Sequence, residues 1–317
     1  MDTMKWSIRR YDASLAGMWN DFVRASRNGT FLLERDYMDY HADRFADCSW
    51  LAFKGNRLMA LLPANIVREG TLQSHGGLTY GGWVLPQAHL DGSDLLDIFR
   101  QACCEWRSSG IKALDYKPVP YIYASRPSQE DEYALFRLGA RLTERNLSAT
   151  IDLRNPGTFN QQQRRHLAKA ARLEPVVTET ADIDGSMAML SACLRERHDT
   201  EPVHTADEMR LLVSRFSENI RFFVTLLDGE MQAGVCVYDT GRVAHAQYIA
   251  TTPRGRELNL LTPLFHKLIT ETYAHRDYFD FGISNENHGL YLNSGLLRQK
   301  YSYGATGTVY SRYLLEL

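Results

Sequence analysis

The chain has 317 residues, which is enough for one large domain or for two domains of about 150 residues. Its 36 basic and 38 acidic residues leave a formal net charge of -2, so overall charge provides no attraction to nucleic acid or to anionic membranes. Five cysteines without C-x-x-C spacing predict reduced thiols, and no apolar run approaches the roughly 18 residues that a membrane span needs. We therefore expect a soluble, cytoplasmic protein without a membrane span or disulfides.

The first half opens with a predicted β-hairpin. Two alternating apolar segments in residues 50–66 flank a Gly55-Asn56 turn. The glycine-rich residues 75–84 match no nucleotide-binding motif. Their glycines would allow the backbone to approach closely either a neighbouring strand or an extended substrate. Apolar periodicity then predicts a helix over residues 90–109, followed by a strand.

A Pro-Gly turn in residues 151–157 indicates the junction between two halves. We place one domain at residues 1–152 and a second at residues 153–317, and we expect the functional site in the second. A helix is predicted over residues 161–172, and it carries four basic side chains. Four charges on one helix fit either a solvated face or contact with an RNA.

The second half repeats the order of the first. Residues 222–238 form a second predicted hairpin, and residues 259–275 a second helix. Asp280 in the strand that follows corresponds to Asp115, and a glycine closes each unit, at Gly139 and Gly304. The fold class predicted from this repeat is α/β: two tandem units, each with a mixed, mostly antiparallel sheet flanked by helices.

Polar residues cluster at residues 195–205, between two predicted helices. Arg197, His198 and His204 lie here, and the second helix begins at Thr205 with Glu208 as its capping partner. This segment fits either a site for a phosphorylated or nucleotide-linked acceptor or a structural loop. Two histidines separated by five residues, without cysteine or carboxylate partners, are poor metal-ligand spacing, so no metal site is predicted.

Residues 278–304 contain the most informative pattern in the chain. Phe279 and Phe281 alternate with Asp280, which predicts a strand with that carboxylate on its inward side. A polar tip with Glu286 and His288 follows, where α/β proteins place catalytic groups at strand ends.

The segments DFGIS, LNSGL and KYSYG begin at residues 280, 292 and 300. They resemble the C-terminal signature of the FemAB-like branch of the GNAT acyltransferases, D-F-G-[IS]-S, L-N-x-G-L and K-x-x-[FY]-G. The resemblance extends over nearly the whole chain, since FemAB-like proteins are tandem GNAT units with a basic helix opening the second half. It implies an acyltransferase, in a bacterial subgroup often associated with cell-surface polysaccharide assembly.

The resemblance implies acyl-CoA as the donor. In the GNAT pattern a splayed strand presents backbone N–H groups to the donor, and the following helix N-terminus binds pyrophosphate. The corresponding residues here are 245–264, and the donor-binding candidates among them are Tyr248, Arg254, Gly255 and Arg256.

The resemblance also places Lys300 at the acyl-transfer centre, where an ammonium stabilises an oxyanion or orients a donor phosphate. Asp280 either orients an amine or lysine or caps a local turn. Glu286 and His288 are candidates for the general base.

Acceptor binding is expected from both halves. Arg197, His198 and His204 are the candidates in the second half, and Asn293 is expected to fix the helix and substrate loop. Tyr80 is expected to line an acceptor groove on the first unit, as the FemAB-like fold implies.

Three functions follow from these patterns. The first is transfer of an acyl group from acyl-CoA to the amine of an amino sugar or other cell-envelope precursor. The second is aminoacyl transfer from aminoacyl-tRNA, as in FemABX-type enzymes, which makes tRNA a second possible partner. The third is a degenerate, non-catalytic GNAT pair that binds a nucleotide sugar or a protein.

Overall fold

The computed structural model describes residues 6–68 and 70–317. Within those residues the α-helices are α1 (Ala16–Ala25), α2 (Arg35–Met38), α3 (Gly92–Ser108), α4 (Glu130–Arg137), α5 (Gln161–Ala171), α6 (Ile183–His198), α7 (Ala206–Arg215), α8 (Pro253–Glu257), α9 (Leu261–Lys267) and α10 (Ser294–Tyr301). The strands are β1 (Ser7–Arg10), β2 (Trp50–Lys54), β3 (Arg57–Leu62), β4 (Asn65–Arg68), β5 (Thr71–Gln73), β6 (Ala113–Tyr116), β7 (Arg141–Asp152), β8 (Val176–Thr180), β9 (Ile220–Leu227), β10 (Glu230–Asp239), β11 (Val243–Thr251), β12 (Tyr278–Ile283), β13 (Asn285–Glu286), β14 (Tyr291–Leu292) and β15 (Thr306–Glu316).

The chain forms two compact units. Unit 1 comprises Met1–Asn146 with His288–Leu290 and Val309–Leu317, and unit 2 comprises Leu147–Asn287 with Tyr291–Thr308. The unit boundaries fall within strands β7 and β15. The compact units are defined by spatial contacts and are not continuous halves of the sequence. The domain boundary at residue 152 therefore stays a prediction.

Unit 1 contains a three-stranded antiparallel sheet, β1-β2-β3, and a second sheet in which β4, β5, β6 and the end of β15 are neighbours. Within the second sheet β5 and β6 are parallel, and β15 runs antiparallel to β6. Helix α3 is amphipathic and buries Leu95, Phe99 and Trp106 in the core of this unit.

Unit 2 has the strand order β7-β12-β11-β10-β9-β8. All neighbours are antiparallel except β11 and β12, whose parallel pairing ends at His245 opposite Asp280. Beyond that pair β11 continues to Thr251 and β12 to Ile283, so the two strands diverge. A β-bulge in β11 between Ala246 and Tyr248 lies next to the point of divergence.

The core of unit 2 lies between this sheet and helices α5 and α9. Phe279 and Phe281 of β12 pack there against Phe265 of α9, with ring centroids 6.0 Å and 4.9 Å from that ring. Because side chains alternate along a strand, Asp280 points to the opposite face. The predicted inward position of Asp280 is confirmed, since its side chain is fully buried.

Most local predictions for both halves are confirmed. Each half contains its hairpin, β2-β3 or β9-β10. The helix predicted over residues 90–109 is α3, whereas the helix predicted over residues 259–275 is shorter: it comprises α9 and a π-helical segment, Leu268–Thr272. Thr205 caps α7 through a reciprocal capping box with Glu208. The donor-binding candidates at residues 254–256 lie in the short helix α8, which forms because the Thr252 hydroxyl caps a turn that opens with Pro253.

Two glycine backbones touch within unit 2, at Gly157 and Gly304. A Cβ at Gly304 would lie 2.8 Å from the backbone of Gly157, and Gly304 has a φ of +91°. We expect Gly304→Ala to destabilise the protein by about 2–3 kcal/mol, measured by urea unfolding.

Gly295→Ala is the matched control, because a Cβ there meets only Asn293 Oδ1, at 3.6 Å, inside helix α10. It should leave stability unchanged or raise it by up to about 1 kcal/mol. Equal effects of the two substitutions would contradict the close-contact explanation.

Among residues 6–68 and 70–317, no helix is both long enough and apolar enough to cross a membrane.

Candidate functional site

A cavity of about 880 Å³ opens in unit 2 where β11 and β12 diverge. Ile249 and Thr251 of β11 line it on one side and Phe281 of β12 on the other. Helices α5, α6, α8, α9 and α10 complete the wall. Its volume lies in the range of roughly 300–1,000 Å³ that is usual for small-molecule sites.

Among the described residues that line this cavity, five have basic side chains and none is an aspartate or a glutamate. The basic residues are His166, Arg197, Arg256, Arg298 and Lys300. Arg256 is held by Glu196, whose carboxylate oxygens lie 2.6 Å and 2.8 Å from its Nη2. A cavity with this lining favours an anionic ligand, and phosphate groups in particular.

Lys300 is buried at the cavity wall, with 6% of its surface exposed. Its Nζ donates to the carbonyl oxygens of Gly282, at 2.9 Å, and Ile283, at 2.7 Å. Burial lowers the pKa of Lys300 to about 8, although the nearby Asp280 acts in the opposite direction. An ammonium has three donors, so one remains for a ligand after these two carbonyls.

Asp280 accepts hydrogen bonds from three side chains. Ser148 Oγ and Thr150 Oγ1 of β7 donate to its Oδ1 at 2.6 Å and 2.8 Å, and His245 Nδ1 lies 2.8 Å from its Oδ2. Burial alone would raise the pKa of Asp280, but these hydrogen bonds and the attraction of His245 hold it below the usual value. Asp280 is therefore an anion in the folded protein.

A buried polar network fixes the cavity wall. Gln163 Nε2 of α5 donates to Ser302 Oγ at 2.9 Å, and Thr262 Oγ1 of α9 donates to Gln163 Oε1 at 2.8 Å. The backbone N–H of Asn160 also donates to the Ser302 carbonyl, at 2.9 Å. These bonds tie α5 and α9 to the end of α10, next to Lys300.

The donor-binding candidates occupy different surroundings. Arg256 and Gly255 line the cavity, whereas Arg254 forms an ion pair with Asp228 at 2.7 Å and is not among the lining residues. A Cβ at Gly255 would lie 2.0 Å from the Gln232 carbonyl oxygen, so this glycine permits close packing of α8 on β10. Tyr248 does not line the cavity.

The acceptor-binding candidates are also divided. Arg197 lines the cavity, and the buried His204 is hydrogen-bonded through Nδ1 to the hydroxyl group of Tyr248. The side chain of His198 lies outside the described part of the chain. Asn293 caps α10 by accepting from Leu296 N at 3.0 Å.

The remaining candidates lie elsewhere. Glu286 is exposed and accepts from Asn293 Nδ2 at 3.1 Å. His288 belongs to unit 1, where its side chain is 79% exposed and lies 3.5 Å from Glu144. Tyr80 is buried in unit 1, with its hydroxyl 3.1 Å from Thr30 Oγ1. The roles of all these residues stay predictions.

Sequence analysis did not predict that His245 contacts Asp280. The only local signal in the sequence was a histidine at the start of the mostly apolar segment HAQYIA, which begins at residue 245. Its partner Asp280 belongs to a different strand, and the parallel register that brings them together is set by the tertiary structure.

Residues 158–289 match the family model described as Acetyltransferase (GNAT) domain. The match lies within the second half of the chain and indicates a GNAT domain over those residues. This agrees with the diverging strands, the bulge in β11 and the cavity between them. A GNAT domain supports a transferase of acyl or aminoacyl groups.

Solved structures extend the likeness over the whole chain. FemX aligns with a TM-score of 0.70 at 10% identity, covering 98% of this chain and 97% of FemX. L-PGS from Bacillus licheniformis aligns with a TM-score of 0.59 at 15% identity, covering 97% of this chain and 92% of L-PGS.

A tandem GNAT protein from the clavulanic acid biosynthesis pathway aligns with a TM-score of 0.51 at 13% identity, covering 98% of both chains. The TM-scores and coverages of these alignments show the fold, and they confirm the predicted FemAB-like tandem GNAT architecture. No curated protein matched the chain significantly.

Proposed function

We propose that the chain transfers an acyl group from acyl-CoA to the amine of an amino sugar or related cell-envelope precursor. The observation that carries this proposal is the cavity at the divergence of β11 and β12, which is lined by basic groups and no carboxylate. Coenzyme A carries several phosphate charges, and Arg197, Arg256 and Arg298 would neutralise them.

Lys300 would act on the acyl carbonyl. When an amine attacks that carbon, negative charge develops on the carbonyl oxygen. The Lys300 ammonium is oriented by the carbonyls of Gly282 and Ile283 and is buried, so it would stabilise that oxygen without reorganisation. The backbone of β11 near its bulge would supply N–H groups to the donor.

Donor binding tests this proposal directly. We expect Arg256→Ala to weaken CoA binding at least about 10-fold in isothermal titration calorimetry, because a charge-assisted hydrogen bond is removed. Arg221→Ala is the matched control: that arginine is also paired with a glutamate, Glu179, but does not line the cavity. Unchanged CoA affinity in Arg256→Ala would contradict the proposed role of Arg256 in binding the phosphates. The same measurement on Arg254→Ala would test the other donor-binding arginine.

A second candidate function is supported by helix α5. Its cavity-lining residues include His166, while Arg164, Arg165, Lys169 and Arg172 are exposed to solvent. A basic surface beside the cavity fits the backbone of a tRNA whose aminoacylated end enters the cavity. FemX has the same fold, which fits this alternative as well as the first.

The two donors can be distinguished by charge reversal on α5. If aminoacyl-tRNA is the donor, Arg164→Glu with Arg165→Glu should abolish salt-sensitive tRNA binding and leave CoA binding unchanged. Binding of one donor without any transfer to an amine would favour the non-catalytic alternative.

A further inference from the structure

The residues that line the cavity in unit 2 differ between its exposed and its buried part. Arg197 and Arg298 are exposed, so their charges lie where the cavity meets solvent. Phe265, Phe281 and Tyr303 line the same cavity, but each exposes at most 3% of its surface. The mouth of the cavity is therefore basic, and much of its buried part is aromatic.

The three aromatic side chains form one continuous surface, which we call the aromatic wall: Phe265, Phe281 and Tyr303. The ring centroid of Phe265 lies 4.9 Å from that of Phe281 and 5.1 Å from that of Tyr303. The rings of Phe281 and Tyr303 are stacked, with centroids 5.6 Å apart. Because these separations are those of rings in direct contact, each ring packs on the other two.

Further aromatic rings support the wall from behind. The ring of Phe279 lies 5.1 Å from that of Phe281, and the ring of Phe159 lies 5.3 Å from that of Tyr303. Neither Phe279 nor Phe159 lines the cavity. Because close-packed interiors accommodate even one extra methylene poorly, this support closes the cavity at the aromatic wall.

The aromatic wall lies next to Lys300. The Lys300 ammonium donates to the carbonyl of Gly282 at 2.9 Å, and Gly282 directly follows Phe281 in the chain. On the other side, the backbone N–H of Tyr303 donates to the carbonyl of Lys300 at 3.2 Å. An acyl group whose carbonyl oxygen is bound by Lys300 would therefore place its alkyl part against the aromatic wall.

The wall carries no charge at neutral pH. Burial raises the pKa of Tyr303 to about 12, so its hydroxyl group stays protonated. An aminoacyl group would bring its own ammonium close to that of Lys300. The described lining of the cavity contains no aspartate or glutamate to pair with a second ammonium. This environment favours an acyl group without charge.

We propose that the donor carries a short, uncharged acyl group of about the size of acetyl, and that Phe281 and Tyr303 set this limit. The inference rests on the proposed function and adds the class of acyl group to it. In the transfer, the amine nitrogen forms a C–N bond to the acyl carbon, and the C–S bond of the thioester breaks. The thiolate leaves with the electron pair, and the amine loses one proton to solvent.

The length of the acyl chain distinguishes a closed site from an open one. In an open apolar site each added methylene is buried, so hexanoyl-CoA would bind more tightly than acetyl-CoA. Against a closed wall the added methylenes have no space, and binding weakens. For the wild-type protein we expect the Kd of hexanoyl-CoA to be at least about 10-fold higher than that of acetyl-CoA. Isothermal titration calorimetry without an acceptor amine measures both.

Phe281→Ala would open the aromatic wall, and we expect it to lower the ratio of the two Kd values at least about 10-fold. Tyr303→Leu opens the wall from the end of α10 and removes less volume, so it replaces Phe281→Ala if that variant does not fold. Phe223→Ala is the matched control. Phe223 is buried in the same core, with 5% exposure, but does not line the cavity, so its replacement should leave the ratio unchanged.

The outcomes separate this inference from the proposed function. If the wild-type protein binds hexanoyl-CoA as tightly as acetyl-CoA, within about threefold, or more tightly, the inference fails and the proposed function stands. It also fails if Phe281→Ala and Tyr303→Leu change the ratio no more than Phe223→Ala does. A wild-type protein that binds neither acyl-CoA would contradict the proposed function, and the inference would fail with it.

Discussion

Lys300→Met is expected to lower kcat for the proposed acyl transfer by about 100- to 1,000-fold, the loss found when one oxyanion-hole donor is removed from a serine protease. The reason is the position of the ammonium: it is buried at the cavity wall and fixed by the carbonyls of Gly282 and Ile283. Methionine keeps the length of the side chain and removes the donor. The measurement is kcat from initial rates at saturating donor.

The pH dependence of the same reaction follows from the pKa of Lys300. Burial lowers that pKa to about 8, so the ammonium is present below this value and lost above it. Activity that depends on the charged form should therefore fall as the pH rises through about 8. In Lys300→Met this alkaline limb should be absent.

Lys267→Met is the matched control for Lys300→Met. Lys267 Nζ also donates to a backbone carbonyl, that of Val177 at 2.8 Å, but it does not line the cavity. It should keep activity within about threefold of wild type. Turnover by Lys300→Met at the level of this control would exclude Lys300 from the transfer step.

Asp280→Ala is expected to reduce the free energy of unfolding by about 3–5 kcal/mol, the cost of removing one partner from a buried charged network. The carboxylate accepts from Ser148, Thr150 and His245. Its removal would leave these donors without their acceptor in a fully buried position. Urea unfolding at neutral pH measures the loss.

The stabilisation by Asp280 should also depend on pH. Because its pKa is lower in the folded than in the unfolded protein, the stabilisation is present above the unfolded value of about 3.9. It is lost as the pH falls through the folded pKa. Wild-type stability should therefore decline more steeply in acid than that of Asp280→Ala.

Asp277→Ala serves as the control for Asp280→Ala. Asp277 pairs with Arg242 at 2.7 Å, with both side chains about one-third exposed, so its removal should cost at most about 1 kcal/mol. Similar losses in the two variants, or equal acid sensitivity of Asp280→Ala and wild type, would contradict the burial argument.

The sequence by itself determined the local elements of this protein. Alternation around Phe279 and Phe281 fixed the strand and the inward side of Asp280, and Thr205 with Glu208 fixed the start of a helix. Short-range periodicity and capping depend on neighbouring residues, so they can be read from a window of sequence. The similarity of the two halves likewise predicted tandem α/β units.

Only the tertiary structure decided which of these residues meet. His245 and Asp280 belong to parallel strands joined by a crossover through α8 and α9, and no local pattern encodes their register. The tertiary structure also decided that Lys300 is buried and that Arg256, and not Arg254, lines the cavity. Long-range packing sets these contacts, because they depend on how the two diverging strands and five helices enclose the same cavity.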